Sequence, residues 1–176
     1  MATTTLPAAL PPHIVRPVAD GGISIRPIDV ADAAALSDFY AALSPDARHA
    51  RFLGACGDVA LRLAAERLAN EPGFVAVLDT HGPRDGEVVG HAVVSGDRNG
   101  GAEIAFAVAD GWRGRGIGTR LMRAVVEAAR ASGLRRLTAA TYADNLAMRH
   151  VLLGAGLQVE RDELDSGVED LTLTLV

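Results

Sequence analysis

The feature that most constrains this chain is residues 102–120, which read AEIAFAVADGWRGRGIGTR. Ala102 to Asp110 is apolar and almost uninterrupted, as a buried strand is, and Asp110-Gly111 breaks it. From Ile117 onward, Leu121, Met122, Val125, Val126 and Ala129 return at helical spacing. Between the two lies a loop of alternating glycines, Arg113 to Gly118. Glycine admits φ > 0 and lets backbone N–H groups approach an anion closely, and a helix N-terminus adds unpaired donors and a positive dipole end. Arg113 and Arg115 supply formal charge beside them. The stretch predicts a phosphate site.

Three anion-binding loops compete for it. The dinucleotide fingerprint needs G-x-G-x-x-G, whereas Gly114, Gly116 and Gly118 run G-x-G-x-G with Thr119 following, and no acidic ribose-binding residue on a clear second strand accompanies them. A P-loop needs a lysine that is absent here. The third pattern is Arg or Gln, two residues, Gly, one residue, then Gly or Ala. Arg113, Gly116 and Gly118 meet it in full. In this strand–loop–helix setting the chain resembles the GNAT N-acetyltransferases. The resemblance implies that the loop holds the pyrophosphate of acetyl-CoA as co-substrate; the bland reading is a glycine-rich turn with no ligand.

The 176 residues suit one domain with a full core. Although 49% are hydrophobic, no apolar run approaches the roughly 18 residues of a membrane span. A net charge of −5 argues against a nucleic-acid partner held by phosphates. Cys56 is alone, which excludes a disulfide framework and a cysteine-based zinc site. Five scattered histidines suggest no metal site. Residues 1–22 are expected to be a flexible tail rich in Ala, Thr and Pro, without the charged start and apolar core of a signal peptide. The expectation is a soluble, cytoplasmic monomer or homodimer with no membrane partner.

Along residues 23–176, Ile23–Arg26 alternates like a short strand closed by Pro27. Asp29 is placed to cap a helix through about Leu43, and Ser44-Pro45 to restart one that Gly54 ends. Residues 58–69 read as a further amphipathic helix. Strands at 74–79 and 87–95 suit an antiparallel hairpin. After the central strand and helix come a strand at 135–142, a helix capped by Asp144, and strands at 157–161 and 168–176. The order β-α-α-α-β-β-β-α-β-α-β-β predicts an α/β chain: a mixed, mostly antiparallel central sheet with helices on both faces, as in the GNAT fold.

The resemblance covers roughly residues 23–176. Ser44-Pro45-Asp46, Arg48, Arg51-Phe52 and Gly54, the stretch at 102–118 and Asp144 to Met148 are similar to the acetyltransferase domain of the Pat-type bacterial protein lysine acetyltransferases. The resemblance implies a protein lysine as acceptor, with a small-molecule amine as the main competitor. A non-catalytic acyl-CoA-binding module stays open beside the enzyme. Members of that subgroup often carry a second, regulatory domain, and none is expected within these residues.

The chemistry follows from protonation. A lysine amine, with a pKa near 10.4, is neutral in only ~1 in 10³ to 10⁴ molecules at pH 7, a deficit of roughly 4–5 kcal/mol. A base is therefore valuable. On a strand of period two, Glu103 shares a face with Ala105, Ala107 and Ala109. A carboxylate on so apolar a face is expected to have a raised pKa, which suits a base. The resemblance matches Glu103 to the catalytic glutamate; the alternative is an edge residue facing solvent. It also implies that backbone groups of Phe106 and Val108 pair with the cofactor's arm. Amides from Arg113 through Gly114, Arg115, Gly116, Ile117 and Gly118 to Thr119 are implied to hold the pyrophosphate. Asn145 matches an asparagine that contacts the arm, or is an ordinary cap residue.

Many GNAT enzymes carry a tyrosine, as general acid, where this chain has Leu152. A thiol with pKa near 8.5 leaves as thiolate at about 2 kcal/mol disadvantage at pH 7, so the acid is dispensable. Tyr142 is a substitute, although a tyrosine ending a strand more often packs. His91 reads as a core or rim residue rather than a base. Arg48 and Arg51, one helical turn apart, are expected to pair with surface acids rather than line the acceptor groove.

Overall fold

A computed structural model describes residues 22–54, 56–80, 82–96 and 102–175. The expected tail, Gly22 apart, lies outside them. The elements appear in the expected order: β1 (Ile23–Pro27), α1 (Ala33–Ala42), α2 (Pro45–Phe52), α3 (Asp58–Leu68), β2 (Gly73–Leu78), β3 (Val88–Gly96), β4 (Ala102–Val108), α4 (Ile117–Ala131), β5 (Arg136–Tyr142), α5 (Leu146–Gly154), β6 (Leu157–Asp165) and β7 (Val168–Leu175).

The strands form one sheet in the order β1-β2-β3-β4-β5-β7-β6. Every neighbouring pair is antiparallel except β4 and β5. Ser166 and Gly167, both at positive φ, turn β6 tightly into β7. The hairpin then folds so that β7 lies inside and β6 forms the edge. The sheet separates two cores. On one face α4 and α5 bury Ile117, Leu121, Met122, Val125 and Leu152 against the strands. On the other, α1 to α3 bury Leu36, Phe39, Tyr40, Leu61 and Leu68. Each such side chain contributes roughly 1.5–3 kcal/mol by leaving water.

Local caps set the helix starts. Asp29 accepts from the Ala31 amide at 2.9 Å and Asp32 from the Asp29 amide at 2.8 Å, which opens a single 3-10 turn before α1. Arg26 grips the Asp32 carboxylate at 2.6 and 2.7 Å and holds its pKa below the usual range. Ser44 caps α2 and Pro45 begins it, as expected. Several boundaries differ from the sequence reading: β6 runs on to Asp165 instead of ending at 161, and α1 itself starts after Asp32. The left-handed residue ending α2 is Leu53 at φ 51°, not Gly54. Asn145 rather than Asp144 caps α5, accepting from the Met148 amide at 3.1 Å.

α5 is tied to the sheet by charge. Arg149 donates to the Glu169 carboxylate at 2.6 and 3.0 Å. Glu169 is fully buried, and Arg149 is about one third exposed. Removing one partner of a fully buried pair costs about 3–5 kcal/mol; partial exposure reduces this. Arg149→Met is expected to lower unfolding free energy by about 2 kcal/mol or more in a denaturant titration. A loss under about 0.5 kcal/mol would remove the pair as the anchor of α5.

Candidate active site

A cleft of about 600 Å³ opens where β4 and β5 part. These two strands are parallel and meet at one register position, Glu103 opposite Thr138. Beyond it, Ala105 to Val108 on one strand and Ala140 to Tyr142 on the other line the cleft rather than each other. A parallel pair normally continues its ladder of hydrogen bonds. The split leaves polar backbone of both strands available to something lying between them.

The side chains of β4 divide as period two requires. Ile104, Phe106 and Val108 face α4, while Ala105 and Ala107, with Ala109 just beyond the strand, face α1 to α3. Glu103 belongs by alternation to the second face, but it stands at the start of the strand, is exposed, and does not border the cleft. The apolar enclosure expected around its carboxylate is therefore absent.

The loop beyond β4 forms one end of the cleft. Gly114 and Gly116 sit at φ 72° and 75°, where a side chain is strained, and a Cβ on either would meet no protein atom within 4 Å. That leaves open space before the amides. Gly116 is the N-cap of α4 and offers no side chain to its first turn. Among the described residues no loop or cap hydrogen bond engages the amides of Gly114 to Thr119, and helix geometry leaves the earliest ones unpaired. Arg113 differs: its amide donates to the Asp110 carbonyl at 3.4 Å, and its guanidinium pairs with the Asp110 carboxylate at 3.1 Å. Asp110 in turn accepts from the Ser44 amide at 2.9 Å and hydroxyl at 3.0 Å, which fastens the start of α2 to the loop.

Two other loop residues are committed to packing. Ile117 is in the core, and a Cβ on Gly118 would stand 3.1 Å from Val151 of α5. Arg115 lies over the Trp112 ring at 4.7 Å, with Arg84 also stacked on that ring at 5.9 Å. Thr119 borders the cleft. The open glycine cradle, the unpaired amides and the positive helix end suit a pyrophosphate, so acetyl-CoA fits this end. It brings a thioester whose carbonyl an amine can attack.

Asn145 also borders the cleft, with both ends of its amide engaged: Oδ1 caps α5, and Nδ2 donates to the Thr141 hydroxyl at 3.1 Å. Leu152, in place of the family tyrosine, is fully buried and reaches no cleft. Tyr142 does border it, its hydroxyl 2.7 Å from His49 Nε2 with the two rings stacked. The sequence carried no sign of that partnership, because α2 and β5 are 93 residues apart at this contact.

His91 is fully buried on β3, its Nδ1 2.8 Å from the Tyr40 hydroxyl. Burial, reinforced by the nearby Arg51 cation against the weaker pull of Asp32, pushes its pKa down to about 3. It is a neutral core residue, as the sequence reading expected. Arg48 reaches Asp58 at 3.7 Å, as expected of a surface arginine. Arg51 instead borders the cleft and has no acidic partner among the described residues.

Residues 33–155 match the Acetyltransferase (GNAT) family. The chain is 31% identical over 160 residues to Acetyltransferase PA5475 of Pseudomonas aeruginosa, covering 88% of this chain and 85% of that one. It is 41% identical over 63 residues to Acetyltransferase Pat of Mycolicibacterium smegmatis, a stretch that is 36% of this chain and 19% of that protein. The GNAT domain of S. lividans PAT superposes with a TM-score of 0.72 at 26% identity, covering 87% of this chain and 90% of the other. yncA of Salmonella typhimurium, solved with its cofactor acetyl-CoA, shares the fold at 22% identity and a TM-score of 0.61, with 89% and 95% covered. A family pattern spanning most of the sequence thus coincides with a loop shaped for a pyrophosphate, and this chain belongs to the GNAT family as an acetyl-CoA-dependent N-acetyltransferase.

Proposed function

We propose that the enzyme acetylates the side-chain amine of lysine in a protein acceptor, with Glu103 as general base. The observation that carries this reading is the split between β4 and β5 immediately after Glu103 and Thr138. Glu103 stands outside the cleft lining, at the start of the strand whose next residues line it. Being exposed, the carboxylate works through an intervening water, taking the proton the amine must shed. Phe106 and Val108 offer backbone groups to the cofactor's arm. Gly114 to Thr119 take the pyrophosphate, and Asn145 keeps the start of α5 beside them. Tyr142 is the second candidate for proton transfer, because the residue borders the cleft and its hydroxyl is bonded to His49.

The lysine assignment is supported by the likeness to Pat in sequence and in fold. Its test benefits from a property of the chain. The 176 residues contain no lysine, all 17 basic residues being arginine. Any acetyl-lysine formed in a mixture of enzyme, acetyl-CoA and lysate therefore lies in an acceptor. Mass spectrometry should find enzyme-dependent acetyl-lysine on a limited set of proteins. Robust acetylation of polyamines or aminoglycosides, with no protein labelled, would overturn the assignment.

A further inference from the structure

The end of the cleft facing α2 is built differently from the loop end. It is lined by Arg51 with Ala47, Ala50, Ala105 and Ala107, so one cation stands among methyl groups. The Arg51 Nε and Nη2 atoms are shielded from solvent and have no hydrogen-bond partner. These nitrogens share one edge of the planar guanidinium, the fork that matches a carboxylate in two parallel hydrogen bonds. The buried carboxylate on this side of the sheet, Asp32, is already held by Arg26, and His91 is neutral. Asp46 also borders the cleft but makes no ion pair with Arg51.

The guanidinium lies 5.7 Å from the Tyr40 ring centre and 5.1 Å from that of Phe52. Such stacking offsets only part of the cost of shielding an unpaired cation from water. The Tyr40 hydroxyl is a hydrogen-bonding neighbour of the guanidinium, but Nε and Nη2 keep no partner among the described residues, so a turn of this cleft-lining side chain can offer their edge to a ligand. The cofactor loop occupies the other end, and Ala105 and Ala107 leave room in front of Arg51. A cation here repels an ammonium and attracts an anion.

We propose that Arg51 binds a carboxylate of the acceptor, so that the enzyme selects amines carrying a carboxylate nearby. The inference rests on the acetyltransferase reading and names the chemical class of its acceptor. The carboxylate is either that of a free amino acid or that of an acidic residue beside a target lysine. Two matched series separate these sources: free amino acids against their carboxamides, and lysine peptides with Asp or Glu neighbours against the same peptides with Asn or Gln.

In one series the carboxylate member should have a kcat/KM roughly 10- to 100-fold higher, the scale of a charge-assisted pair. Arg51→Met should reduce that ratio to near one while calorimetry still finds acetyl-CoA bound, and Arg51→Lys should keep part of it. The same compounds titrated into wild-type protein saturated with CoA give the preference without any turnover. A binding preference without acetyl transfer would sink the lysine reading and leave the carboxylate site standing. No preference in either series, or one that survives Arg51→Met, overturns the proposal.

Discussion

Glu103→Gln is expected to lower turnover at pH 7 by about 10²-fold, the usual scale for losing a general base. Acetyl-CoA affinity should be unchanged, because the proposed grip runs through residues 106–119 and not through this exposed side chain. Part of the lost rate should return as pH rises. The substitution removes only the acceptor of a proton, and more amine is neutral without help at higher pH. Steady-state rates from pH 6.5 to 9.5 on both proteins make the comparison. Wild-type turnover with an unchanged profile would take Glu103 out of the mechanism and move attention to Tyr142 and His49. The geometry already restricts the outcome. An exposed carboxylate outside the cleft lining must act through water, so shortening it to Asp should be milder than losing its charge.

Gly116→Val should abolish measurable acetyl-CoA binding, a loss of about 10²-fold or more. Two effects combine. The residue sits at φ 75°, where a β-branched side chain is strained. The new methyl groups would also fill the open space before the amides, and each hydrogen bond to a charged phosphate forfeited costs about 1.5–3 kcal/mol. Gly133 supplies the control. It lies beyond the other end of α4 at φ 79°, also with no neighbour within 4 Å, so Gly133→Val carries similar strain away from the cleft. Calorimetry should find near-normal affinity in Gly133→Val and none in Gly116→Val. Equal affinity in both would mean that the loop does not hold the pyrophosphate.

The element order and the glycine loop between β4 and α4 were legible because both are written locally. Ser44-Pro45 marks a helix start within two residues, and Arg113, Gly116 and Gly118 carry their spacing on their face. The misplaced boundaries are also local, decided by energies the letters do not rank. Leu53 takes the left-handed position although glycine follows it, and Asn145 caps α5 although Asp144 precedes it. What the sequence did not disclose is assembled across distance. Arg48 and Arg51 look alike as letters, yet the fold turns one to Asp58 and the other to the cleft. Period two put Ala105, Ala107 and Ala109 on one face, as found, and assigned Glu103 to it by alternation alone. It gave no sign that the strand's first residues emerge at the margin, where alternation no longer decides burial.

The single point of pairing between β4 and β5 has a thermodynamic consequence. A strand edge inside a protein is an incomplete sheet, a place where backbone groups have given up water without full exchange for one another. In the proposed grip, the cofactor's arm supplies the missing partner along Phe106 and Val108 and so finishes the architecture of the two half-sheets. Ligand and fold are then linked by mass action: acetyl-CoA at 100 times its dissociation constant adds about 2.7 kcal/mol to the free energy of unfolding. The same split that makes room for catalysis thus makes the persistence of this protein a function of the acyl-CoA supply around it.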